Sequence, residues 1–170
     1  IKPDGSCGME VCTPVCKGLY SLKNIEKVVD AFSKNRKVYA DNRCSLHIHV
    51  DVSDLSLEQV TTILTWWINC EMVFLDSVPE TRKRNRYCQC ISQTEIFDLS
   101  GFNFIPTETL IYYLGSSKYY SVNSYHLYGK RRSTIEFRIM DAKACVNSEI
   151  ISNWIKLILH FVEMAILKGM

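Results

Sequence analysis

Residues 44–53 read CSLHIHVDVS. Leu46, Ile48, Val50 and Val52 alternate with His47, His49 and Asp51, the period of a strand whose successive side chains point to opposite faces. One face is wholly aliphatic. The other carries two imidazoles and a carboxylate, about 6–7 Å apart from neighbour to neighbour. Such a strand buries one face in a core and keeps the other for groups that bind metals and protons.

Two more stretches repeat the pattern. In TIEFRIM, Thr134–Met140, the residues Ile135, Phe137 and Ile139 point one way while Glu136 and Arg138 point the other. In GMEV, 8–11, Glu10 lies between Met9 and Val11. A solvated sheet face would mix Lys, Thr, Ser and Glu rather than concentrate imidazoles and acids. Taken together, the three polar faces suit a divalent ion that bridges phosphates. Arg138 beside Glu136 adds a fixed cation for a phosphate or carboxylate. Glu10, His47 and Glu136 are therefore expected in one concave cleft, within about 10 Å of one another, so that one or two ions can reach all three.

The remaining segments dictate how such strands are covered. Residues 24–35 have a helical apolar stripe through Ile25, Val28, Val29 and Phe32, with Ser21 as a cap. Ser56 and Gln59 form a capping box for a helix to about Leu75. Residues 80–86, ETRKRNR, read as a basic loop expected at the rim of the cleft. A short helix follows Pro106, from Thr107 to Tyr113. Strands at 119–126 and 133–140 are joined by a basic turn around YGKRR, and Ser148 caps a last, broadly apolar helix. The order β-α-β-α-loop-β-β-α predicts an α+β fold, a curved and mostly antiparallel sheet with helices packed on one face.

With 170 residues, 47% hydrophobic and 22% charged, the chain has the length and composition of a single domain with a full core. The net charge of +2 gives no general nucleic-acid binder. Most of the eight cysteines fall inside helix and strand patterns, which favours reduced thiols and a cytoplasmic setting over a disulfide framework. Cys88 and Cys90 could share a soft metal, although their spacing is not C-x-x-C. Lys156, His160 and Glu163 interrupt the apolar C-terminal stretch, so no membrane span is expected.

DGS at 4–6, GMEVCTPV at 8–15, CSLHIHVDVS at 44–53, RNRYC at 84–88, KYYSVN at 118–123 and TIEFR at 134–138 together resemble the amidoligase family. That family is grouped with glutamine synthetase and the glutamate–cysteine ligases. The resemblance covers nearly the whole chain. It implies a glutamine synthetase-like catalytic domain that uses ATP and Mg²⁺ or Mn²⁺ to join a carboxylate to an amine through an acyl phosphate. Glu10, His47 and Glu136 then resemble metal ligands. His49 and Arg138 resemble catalytic groups on the phosphates or the reacting carboxylate. Arg82, Arg86, Asn123 and Tyr87 are implied as cofactor or substrate contacts. The substrates would be small-molecule or peptide carboxylates and amines. The family's first strand carries an E-x-E pair with no counterpart ahead of Glu10, so the expectation is either a chain truncated or processed before Ile1, with that strand on a missing or separate segment, or a degenerate relative of the family.

Two other readings stand beside this one. H-x-H could hold zinc in a hydrolase, given a third ligand; Asp51, a cysteine, His126 or His160 would have to provide it. Alternatively the ligase fold serves as a non-catalytic component of a larger assembly, with RKRNR and KRR as contacts to a protein or RNA partner.

Overall fold

A computed structural model describes residues 1–5, 7–92, 107–128, 133–141, 144 and 146–168. The chain forms two compact units, Ile1–Leu46 with Met140–Leu157, and His47–Ile139 with Ile158–Met170. The architecture is α+β with small antiparallel sheets.

In the first unit, β1 (Lys2–Asp4) pairs antiparallel with β2 (Gly8–Glu10). The tight reversal is closed at Gly8, whose φ of 86° favours a residue without Cβ. Glu10 lies opposite Lys2. Its strand therefore belongs to a separate two-stranded ribbon and not to the one sheet expected from the sequence. Helix α1 (Gly18–Lys34) begins a turn and a half earlier than predicted. Ser21 does not stand at the cap. Its hydroxyl accepts from the Lys17 amide at 3.0 Å and donates to the Lys17 carbonyl at 2.9 Å, inside the first turn.

The second unit contains a three-stranded sheet in the order β3-β5-β4. Strand β3 is Ile48–Asp51, β4 is Val122–Asn123 and β5 is Thr134–Phe137, with β5 antiparallel to both neighbours. His49 faces Glu136 across one ladder, and Asn123 faces Glu136 across the other. All three side chains consequently share a face. The opposite face presents Ile135 and Phe137, 0% and 1% exposed.

Helix α2 (Leu57–Asp76) covers that apolar face. Both capping-box bonds form, Gln59 N–H to Ser56 Oγ at 3.2 Å and Ser56 N–H to Gln59 Oε1 at 2.9 Å. Its Trp67 stacks on Phe74 at 4.4 Å between centroids and meets Phe137 edge-on at 4.9 Å. Phe161 of α6 (Ser148–Lys168) closes the aromatic core at 5.6 Å from Trp67. Asn147, not Ser148, caps α6, because its Oδ1 accepts from the Ile150 amide at 3.0 Å. By length and composition α6, of mean hydropathy 1.6, could cross a bilayer. Ile158, Val162 and Ala165 are nevertheless buried in the second unit.

Three short elements depart from the sequence reading. The basic loop contains a one-turn helix, α3 (Glu80–Lys83). Helix α4 is Thr107–Gly115, longer than predicted. The strand expected over 119–126 shrinks to β4, because Asn123 and Ser124 turn the chain into α5 (Tyr125–Tyr128). Asn123 Oδ1 accepts from the Tyr125 amide at 3.2 Å, and the Leu127 amide bonds to the Ser124 carbonyl at 2.9 Å. These are the local bonds by which Asn and Ser compete with a ladder. The basic turn around YGKRR falls largely outside the described residues.

Candidate functional site

The polar face of β5 carries one buried carboxylate. Glu136 is 4% exposed at its side chain, and five polar groups surround it. On Oε1 lie His47 Nδ1 at 3.1 Å, Arg138 Nη1 at 3.3 Å and His49 Nε2 at 3.9 Å. On Oε2 lie Asn123 Nδ2 at 3.2 Å and His126 Nε2 at 3.9 Å. Three imidazoles thus converge on a single acid. The geometry follows from the ladders, since β3 delivers His49 opposite Glu136 and β4 delivers Asn123 from the other side. His126 arrives from α5, which folds over this face.

His49, His126 and Glu136 offer ligand atoms within 4.8 Å of one another. The His49 and His126 rings meet at 5.0 Å and 61°. Each imidazole is about a quarter to a third exposed, so the cluster opens to solvent on the histidine side and is closed on the glutamate side.

Arg138 is 6% exposed. Its Nη1 donates to Glu136 and to the Lys118 carbonyl. Its Nε is buried with no hydrogen-bond partner among the described residues. Burial lowers the guanidinium's pKa, while the Glu136 charge opposes that shift. An unpaired buried donor is costly, and a ligand oxygen that reached it would remove the penalty. Beyond Arg138 runs an aromatic and cationic row. Arg138 lies 5.6 Å from the centre of the Tyr119 ring, and Lys118 Nζ lies 5.4 Å from it. Tyr119 meets Tyr87 edge-on at 5.5 Å. Exposed Arg86 lies 4.8 Å over Tyr87 and donates to its hydroxyl at 2.7 Å.

The residues singled out in the sequence divide into three groups. His47, His49, Asn123, Glu136 and Arg138 come together around one carboxylate, and Tyr87 and Arg86 end the row that leads from it. Arg82 has a different job. It is 1% exposed, and its guanidinium donates to the backbone carbonyls of Ile139 at 3.0 Å and Arg138 at 2.8 Å. Those bonds fix the chain just beyond β5 and leave the group buried in protein. Glu10 stands in the other unit, paired with Lys2 at 2.8 Å.

The Cys88 and Cys90 thiols have separate partners. Cys88 Sγ donates to the Arg82 carbonyl at 3.2 Å, and Cys90 Sγ to Glu71 Oε2 at 2.9 Å. Burial pushes the Cys88 thiol up, which keeps it in the inert thiol form.

Sequence reasoning did not find Tyr119 or Glu71, and it reached His126 only as one of several third ligands for zinc. Glu71 was hidden in the apolar stripe of α2. Fully buried, it accepts from the Ile91 and Ser92 amides at 2.9 and 2.8 Å, from Cys90 and from the Ser121 hydroxyl. Ser121 also accepts from Trp67 Nε1 at 3.0 Å. The chain at 88–92 is thereby moored beside β4, and the Gln89 amide bonds the Tyr119 carbonyl at 2.7 Å. The only sequence signal for His126 was the Asn-Ser turn three residues ahead of it.

A family model described as "Putative amidoligase enzyme" matches residues 3–162. Neither the curated proteins nor the solved structures gave a match.

Proposed function

This chain belongs to the putative amidoligase family, and on that premise we propose that it is an ATP-dependent carboxylate–amine ligase working through an acyl phosphate. A ligase-type function is the coarse reading that membership carries. The finer reading rests on one observation: a buried Glu136–Arg138 pair whose arginine keeps an unpartnered Nε.

The residues have distinct tasks in this scheme. Glu136 would help to hold a divalent ion that comes with the nucleotide, Mg²⁺ or Mn²⁺ in the family's usual chemistry. When bound, such an ion would neutralise phosphate oxygens as charge shifts between them. Arg138 offers a fixed cation at a nearly dry position, where a charge–charge interaction is stronger than in water. Asn123 holds Oε2 of Glu136 and keeps the carboxylate from rotating. Arg86 at the far end of the aromatic row and Lys118 beside Tyr119 suit a nucleotide's phosphates or a substrate carboxylate, and Tyr87 and Tyr119 provide ring surface beside them. Arg82 supports Arg138 through its backbone and has no ligand role. A glutamine synthetase-like fold, a cytoplasmic setting, and small carboxylates and amines as substrates belong to the same proposal.

The test is ADP release by the purified chain with ATP, Mg²⁺ or Mn²⁺, and pools of carboxylates and amines. Release that requires both substrates supports the proposal. No nucleotide binding and no release with any pair, in the longest form of the protein that can be made, would leave the fold serving as a scaffold.

A further inference from the structure

The family resemblance assigns metal binding to Glu10, His47 and Glu136. The geometry points to a different set: His49, His126 and Glu136 form a site for one borderline transition ion of the Zn²⁺ or Co²⁺ type, in preference to Mg²⁺.

The first argument is position. Ligand atoms of these three residues already lie within 4.8 Å of one another. Bond lengths of about 2.0–2.2 Å place tetrahedral ligands roughly 3.4 Å apart. Closure on an ion thus requires side-chain movements of roughly 1 Å, within what half-exposed imidazoles can make. His47 stands otherwise. Its Nδ1 is engaged with Glu136 Oε1 at 3.1 Å, and Arg138 shares that oxygen. Asn123 meanwhile secures Oε2 at 3.2 Å. His47 and Asn123 therefore orient the carboxylate, the usual role of partners outside the coordination sphere.

The second argument is donor chemistry. Mg²⁺ favours octahedral oxygen ligands, usually carboxylates and waters. This set supplies two imidazoles and one carboxylate, and the carboxylate's charge is already partly met by Arg138 at 3.3 Å. Imidazole ligands suit zinc, cobalt and their neighbours. Three protein ligands with an open side toward solvent also leave a fourth position for water or substrate.

The inference concerns the cleft used by the ligase reading but is measured without nucleotide. The full chain, stripped with chelator, is titrated calorimetrically with Zn²⁺, Co²⁺ and Mg²⁺, and Co²⁺ binding is followed by its visible absorption. One Zn²⁺ or Co²⁺ per chain is expected, with Mg²⁺ failing to displace it at equal concentration. His126→Ala should weaken Co²⁺ binding by more than the about 10- to 100-fold that accompanies loss of an outer partner. His160→Ala, on the exposed side of α6, should bind as wild type does. Near-ultraviolet circular dichroism of the aromatic side chains verifies the fold, and His49→Gln replaces His126→Ala if the latter is unfolded. Unchanged Co²⁺ affinity in the folded variant overturns the inference. So does an absorption band from thiolate ligation, which would place the ion on cysteines such as Cys12 or Cys16. Unchanged Co²⁺ affinity in His126→Ala together with substrate-dependent ADP release sinks the inference and spares the ligase, whereas tight Co²⁺ binding lost in His126→Ala without any ADP release does the reverse.

Discussion

Glu136→Gln tests the site and the fold at once. From the sequence alone, a Glu136–Arg138 pair lining a cleft would lose its charge and its function without loss of thermal stability. The structure gives another result. Glu136 Oε1 faces Arg138 and His47, so a glutamine would turn its carbonyl toward them. Its amide group would then meet Asn123 Nδ2, donor against donor. Asn123 cannot reverse cheaply, because its Oδ1 accepts from the Tyr125 amide and its Nδ2 donates to the Lys118 carbonyl at 3.3 Å. One buried donor is left unmatched, at about 1–3 kcal/mol, and the bond to Arg138 loses its charged acceptor, at about 1 kcal/mol. The sum is about 2–4 kcal/mol, a large part of the about 5–15 kcal/mol that holds a domain together. Urea unfolding, followed by tryptophan fluorescence and by near-ultraviolet circular dichroism, should show the midpoint falling. The melting temperature should drop by about 4–16 °C. Glu136→Asp, which keeps the charge but shortens the reach, should retain part of the stability and lose ion binding. A Glu136→Gln protein that unfolds with the wild-type midpoint would mean that the carboxylate is not the hub these distances make it.

Other substitutions separate support from chemistry. Glu71→Gln should destabilise by about 2–4 kcal/mol in urea unfolding, since an amide cannot accept from donors on both sides. Arg82→Met should cost about 2–4 kcal/mol by leaving two buried carbonyls unmatched, while Arg86→Ala, at the surface, should shift stability by no more than about 0.5 kcal/mol and weaken nucleotide binding in a fluorescence titration. Asp41 is held at about 2, chiefly by hydrogen bonds from Arg43, against the usual 3.8. Its folded pKa is depressed, so its contribution is present above about pH 4 and lost as pH falls through about 2; Arg43→Gln should return the carboxyl toward 3.8 in an NMR titration.

Period two makes the faces of β3 and β5 readable in the sequence. His49 and Glu136 each sit between apolar neighbours, and the core leaves only one way to bury those neighbours. Their pairing across the ladder then follows from two strands sharing a sheet. Glu10 shows where this reasoning fails. Its strand has the same alternation, but three residues cannot specify which edge they join, and they pair with β1, where Lys2 lies 2.8 Å from Glu10. Arg82 and Arg86 looked alike in ETRKRNR. One turn of helix after Pro79 sent Arg82 inward to two carbonyls and left Arg86 in solvent. Composition cannot distinguish a guanidinium that ties down a backbone from one that waits for a phosphate.

His126 marks the deeper limit. Read as strand, 119–126 would alternate its side chains between faces and carry His126 away along the sheet. The Asn123–Ser124 break instead folds the chain back within two residues, and α5 sets the third imidazole above the carboxylate. The same Asn123 side chain makes both bonds that matter, one to the Tyr125 amide that starts α5 and one to Glu136. The turn and the site are therefore a single device. Asn123→Ala would release α5 and the carboxylate together, so His126 and Glu136 are positioned by one residue chosen for its ability to interrupt a strand. Clusters of this kind should be sought where a polar turn residue cuts a strand short, beside a neighbouring strand with an acid on its inner face.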